Sequence, residues 1–187
     1  MKTKINMTNV ALVLTAMSIL SLSGCFEVQL EVPVITQVAT IEGNEILNQA
    51  NAKLHGEILE PALVGKNFGL SDKISQVRLA EFEIRVTDDA LGSDTDVDDL
   101  QFVESMVIFA RSQDPDSGLD EVAVAWYYAE ETDGSDPEIL RFEVDSELDI
   151  TPYLTDGFEL FSKSVSRIPV DDVSVEGLAV FTAIPEL

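Results

Sequence analysis

Beyond Ser71 the order of apolar and polar residues settles into a period of two, and that period constrains the fold more than any other feature of the chain. Successive side chains of an extended strand point to opposite faces, so such alternation marks strands with one face buried and one solvated. Six spans carry it: Lys73 to Thr87, Leu100 to Ser112, Glu121 to Ala129, Glu138 to Ile150, Phe158 to Ser166, and Asp172 to Ile184. Turn-forming residues separate them, in Asp114-Pro115-Asp116-Ser117-Gly118, in Asp133-Gly134-Ser135-Asp136-Pro137, in Asp156-Gly157, and at Pro169 with Asp171. Regularly spaced strands of this kind predict an antiparallel sandwich.

Upstream the character is mixed. Glu27 to Val34 alternates cleanly, with Val28, Leu30, Val32 and Val34 on one face, and adds a seventh strand. Asn44 can cap a helix, Ile46, Leu47, Ala50 and Leu54 recur at helical spacing, and Gly56 suits the position just past a helix end. A short helix is therefore predicted from Glu45 to His55. Between Glu57 and Leu70 the apolar residues are interrupted by Pro61, Gly65 and Gly69, the composition of an irregular connection that includes a short edge strand.

Seven strands with one-faced alternation and regular turns resemble the immunoglobulin-like sandwiches over about residues 26 to 187. The resemblance is architectural, since the cysteine pair of antibody domains is absent. Tyr153 after Pro152 resembles a tyrosine corner, and the simpler reading is a tyrosine in a plain turn. The predicted class is all-β: an antiparallel sandwich of about seven strands with one short helix near residues 45 to 55.

The first residues follow another logic. Lys2 and Lys4 give a positive start, and Val10 to Leu22 runs thirteen residues without a charge. As a helix that run would span only ~20 Å, against the ~30 Å hydrocarbon core that a permanent crossing requires. It ends in Leu22-Ser23-Gly24-Cys25, which resembles the lipobox of bacterial lipoproteins at all four positions. The resemblance implies that residues 1 to 24 are a signal peptide, that Cys25 becomes the lipidated first residue, and that residues 25 to 187 form an anchored domain. Three acyl chains would hold it stably, because each buried methylene contributes roughly 0.8 kcal/mol. Phe26, in place of Asp, follows the cysteine, which in this class implies the outer rather than the inner membrane. Cys25 is the only cysteine, so no intramolecular disulfide supports the domain.

All 35 acidic residues lie after Cys25 with nine of the 11 basic ones, giving that part a net charge of −26. A field of this sign repels phosphates and excludes electrostatic binding of nucleic acid. His55 is the only histidine, no Gly-x-Ser-x-Gly occurs, and zinc sites of His and Cys are excluded. Carboxylates are too abundant for any pair to stand out as an acid and base. An enzyme is not expected.

Two constellations remain. In Trp126-Tyr127-Tyr128 the alternation places Val122, Val124, Trp126 and Tyr128 on the core face and turns Tyr127 outward with Ala123, Ala125 and Ala129, a poor surface for a sugar. In the loop after the second of the seven strands, Asp94, Asp96, Asp98 and Asp99 copy the opening of an EF-hand. The copy fails at its sixth and twelfth positions, which are Asp99 and Ser105. A sandwich-loop calcium site is left open, since counting strand reversals brings these aspartates near Asp133, Asp136, Asp171 and Asp172, with Asp114, Asp116, Asp120 and Asp156 at the opposite end. The sequence predicts a membrane-anchored exported lipoprotein acting as a binding or structural module of the cell envelope, with an envelope protein or glycan as partner. The alternative is a calcium-dependent adhesion or glycan-binding domain.

Overall fold

In the computed structural model the described residues are 29–36, 38–50, 52–56, 62–64, 74–87, 99–129, 136–154 and 157–186. The strands among them are β1 Leu30–Ile35, β2 Ala39–Ile41, β3 Lys53–Gly56, β4 Ala62–Val64, β5 Ile74–Val86, β6 Val103–Ser112, β7 Val122–Tyr128, β8 Ile139–Arg141, β9 Glu143–Val144, β10 Phe158–Arg167 and β11 Val173–Pro185. Helix α1 covers Glu45–Gln49, and a 3-10 turn covers Thr151–Leu154.

The strands form two antiparallel sheets packed face to face, the all-β sandwich that the alternation predicts. The first sheet runs β1-β11-β5-β8, with β2 also on β11. The second runs β3-β10-β6-β7-β9, with β4 also on β10. Each sheet has an edge made of two short strands laid end to end along one long neighbour. In the first sheet Thr36 bridges the break: its N–H donates to the Gly177 carbonyl at 2.8 Å, and the Gly177 N–H donates to its Oγ1 at 2.7 Å.

The pairs nest in sequence, β1 and β2 with β11, β3 and β4 with β10, β5 with β8, and β6 with β7. That is jelly-roll connectivity, two Greek keys wrapped into a double sheet. Immunoglobulin domains order their sheets differently, with the last two strands as neighbours in one sheet; here β10 and β11 lie in opposite sheets. The architecture is as expected, and the strand order is the nested one.

Two spans differ from the periodic reading. Helix α1 stops at Gln49, and the stretch expected to continue it forms β3, with Leu54 opposite Ser166 and His55 opposite Val165. A five-residue helix has little stability of its own, so backbone pairing with β10 prevails over local propensity. His55 is thus a strand residue and not a helix-terminal one. The span Glu138 to Ile150 divides at Phe142, with β8 in the first sheet and β9 in the second. At this corner the Phe142 N–H donates to the Phe82 carbonyl at 3.0 Å, and the two rings meet edge to face at 5.0 Å.

The core lies between the sheets. β11 turns Val173, Val175, Ala179, Phe181 and Ala183 inward in unbroken alternation, and β10 opposes it with Phe158 and Leu160. Phe158 and Phe181 touch edge to face across the gap at 5.8 Å. In β5 the pairing with β11 skips Ala80, so Leu79 and Phe82 both point inward across a bulge.

Candidate interaction face

A similar bulge decides which aromatic residues the second sheet shows to solvent. β6 pairs Ser105 with Tyr128, Met106 with Tyr127, Val107 with Trp126 and Ile108 with Ala125, and then Phe109 with Ala123, leaving Val124 over. One extra residue reverses the side to which everything beyond it points. Val124 and Ala125 are both buried, Tyr127 enters the core at 6% exposure, and Trp126 and Tyr128 face outward, the latter 46% exposed. The alternation expected the reverse. Once inside, the Tyr127 ring lies 5.8 Å from that of Phe142 at the sheet-crossing corner.

Register then builds the outer face in rungs. Tyr128, Ser105 and Val165 form the first, and Glu143, Trp126, Val107 and Lys163 the second. Ala123, Phe109 and Phe161 form the third, and Arg111 with Glu159 the fourth. Phe109 and Phe161 stack with centroids 5.5 Å apart. Two of the few cations of this acidic chain lie on them: the Arg111 guanidinium is 4.5 Å from the Phe161 centroid, and Lys163 Nζ is 4.4 Å from that of Phe109. Each such contact contributes roughly 0.5–1 kcal/mol at a partly exposed site.

Carboxylates fix the two cations in turn. Arg111 reaches Glu159 at 2.7 Å and Glu121 at 3.7 Å, and Lys163 reaches Glu121 at 3.0 Å. Glu121 therefore ties both cations together, and its own chain is held from below. The Tyr153 hydroxyl donates to the Asp120 carbonyl at 2.7 Å. Burial pushes the Tyr153 phenol pKa above its ordinary value of 10.0, and the nearby Asp120 charge pushes the same way. The tyrosine-corner resemblance ends in a bond to a loop 33 residues upstream, not to its own turn. The result is an outer face on which Tyr128 is exposed and Trp126 partly so, while Arg111 and Lys163 lie over Phe109 and Phe161, the latter only 2% exposed.

The aspartates divide between the two ends of the sandwich. Leu100 N–H donates to the Pro137 carbonyl at 2.8 Å, Arg167 N–H to the Phe102 carbonyl at 2.8 Å, and Thr87 N–H to the Ser174 carbonyl at 2.9 Å. The segments around Asp99, Asp136, Asp171 and Asp172 thus gather at one end. Asp94, Asp96, Asp98 and Asp133 lie outside the described residues. Asp99 Oδ1 accepts from the Gln101 N–H at 3.0 Å, Asp136 Oδ1 from Glu138 at 3.1 Å, and Asp172 Oδ1 from Gly43 at 2.8 Å. Gly43 passes so close that a Cβ there would fall 2.0 Å from the Asp171 carbonyl carbon. At the other end Asp114, Asp145 and Asp149 accept backbone N–H groups of their own turns. Holding turns is the visible work of these carboxylates. Among the described residues no group of three or more His, Cys, Asp or Glu is disposed to hold a metal.

Part of the outer face had a signal in the sequence. In Met106 to Ala110 every residue is apolar, which a strand solvated on one face does not need. No helix among the described residues is long and apolar enough to cross a membrane. No protein-family model matches this chain, and no curated protein matches it.

Proposed function

We propose that this chain is an exported lipoprotein, held at the outer membrane through acylated Cys25, whose sandwich is a binding module of the cell envelope and not an enzyme. The anchor rests on Leu22-Ser23-Gly24-Cys25, and Phe26 supports the outer membrane. The observation that carries the binding reading is the outward turn of Trp126 and Tyr128 beside the stacked pair Phe109 and Phe161. Tyr128 is exposed and Trp126 partly so, and aromatic side chains turned to the outside of a sheet are the usual composition of a recognition surface.

A glycan-binding reading stands second. Trp126 and Tyr128 share one side of β7 two residues apart, about 6.6–6.8 Å along the strand, so two ring faces are offered in a row to a neutral sugar chain. The strongly negative field disfavours anionic ligands and leaves neutral ones unaffected.

Mild crosslinking in intact cells, followed by purification from membranes, tests the reading when the wild type is compared with Trp126→Ala/Tyr128→Ala. A partner held by the wild type and lost from the double variant is the expected result. Equal capture by both places recognition elsewhere. Binding of the double variant to neutral polysaccharide, measured beside the wild type, separates the glycan reading from a protein partner.

A further inference from the structure

The register of β1 fixes which end of the sandwich an anchor at Cys25 would hold. Leu30, five residues after Cys25, pairs with Ala183 near the end of β11, whereas Ile41 pairs with Val173 at its start. Five residues reach at most about 17 Å when fully extended. Ten residues of β11 separate Ala183 from Val173, roughly 33 Å along a strand. The tether is about half as long as the sandwich.

The same end holds the start of β5, where Ile74 pairs with Pro185. Ser112 at the end of β6 pairs with Phe158 at the start of β10, so residues 113–121 and 145–154 belong to this end as well. At the other end lie α1 and residues 99–102, 136–138 and 168–172, tied by the bonds from Leu100 to Pro137 and from Asn44 to Pro169. That end shows apolar side chains to solvent, with Ile46 79%, Val170 55% and Leu47 43% exposed.

We infer that the anchored domain stands end on, with the turns at 113–121 and 145–154 facing the lipid surface and the end carrying α1 held away from it. The inference rests on lipidation of Cys25. Its consequence is that Ile46, Leu47 and Val170 are presented outward and do not insert into the bilayer that anchors the chain, although exposed apolar residues on a membrane protein would ordinarily invite that reading. The outer face also gains a direction, since β7 runs from Val122 near the lipid to Tyr128 away from it.

Acylation consumes the only native thiol, so single engineered cysteines report without ambiguity. The full lipidated chain carrying Asp116→Cys or Ile46→Cys, both at exposed positions, would be labelled with a fluorophore and reconstituted into phosphatidylcholine vesicles containing a headgroup nitroxide lipid. Quenching severalfold stronger at position 116 than at 46 is expected. Equal quenching, or stronger quenching at 46, overturns the orientation while leaving the anchor intact. Absence of fatty-acid labelling on the wild type, with failure to float with vesicles, overturns the anchor and the orientation with it.

Discussion

The two sheets share one core but present unlike surfaces to solvent. The outer face of the first is charged along β5, where Arg78, Glu81, Glu83 and Arg85 alternate with buried residues, and Arg141 stands opposite Glu83 on β8. Ile35 of β1, 64% exposed, and Leu178 and Val180 of β11 interrupt it, and none of its described residues is aromatic. The outer face of the second sheet gathers Trp126, Tyr128, Phe109 and Phe161, and covers the last two with Arg111 and Lys163. A sandwich needs only its inner faces to be apolar. The first sheet adds a few aliphatic side chains to a charged outer face, whereas the second adds aromatic rings, and the proposed recognition role rests on that difference.

The contrast breaks most visibly at Tyr127, the ring that the β7 bulge sends inward. Tyr127→Ala should cost ~3–5 kcal/mol in a urea titration, as removal of a buried aromatic side chain does. A cost below about 1 kcal/mol would mean that Tyr127 lies on the outside and that the two faces have been assigned the wrong way round.

Next in size is Tyr153→Phe, which leaves the Asp120 carbonyl without its donor and loosens the segment that positions Glu121 against both cations. A loss of about 1–1.5 kcal/mol near neutral pH is expected from one hydrogen bond. The sign with pH follows from the raised phenol pKa. The folded state holds the Tyr153 proton more tightly than the unfolded one, so this stabilisation is complete below pH 10.0 and is lost as pH rises through the higher folded value. Denaturant titrations between pH 8 and 11 should show a steeper alkaline loss in the wild type than in Tyr153→Phe. Parallel curves would contradict it.

Arg111→Ala should cost about 1 kcal/mol, through uncovering of Phe161 more than through the partly exposed ion pairs. The greater part of that loss should persist in 1 M salt, where screening removes most of a surface ion pair. A loss that vanishes in salt would reduce the cations on this face to ordinary surface charges. Glu81→Ala on the first sheet should stay within about 0.5 kcal/mol in the same titration, the usual range for a solvated position.

Legibility followed the pairing. β11 keeps a two-residue rhythm without interruption, and its inward set of Val173, Val175, Ala179, Phe181 and Ala183 can be read directly from the sequence. β7 has the same rhythm in its letters, but the residue that the bulge leaves over is Val124, which looks no different from its neighbours. Only the register with β6 reveals it, so the local pattern inverted Trp126 and Tyr127. The corner at Phe142 was hidden for the same reason, since a strand that changes sheets stays apolar on both sides of the change. The grouping of Asp99, Asp136, Asp171 and Asp172 at one end was readable because it needs only a count of reversals. The face itself was not, because Phe109, Phe161 and Lys163 meet through strands far apart in sequence.

Trp126 is the only tryptophan of the chain, so its fluorescence tests the bulge and the face together. The account predicts emission close to that of a partly hydrated indole and ready quenching by acrylamide in the native state, with only a modest increase on unfolding. Trp126→Ala should then cost less than the ~3–5 kcal/mol of a fully buried aromatic side chain, since part of the ring stays in water. Strongly blue-shifted emission, with quenching that appears only after denaturation, would place Trp126 in the core and contradict the assignment on which the proposed recognition face depends.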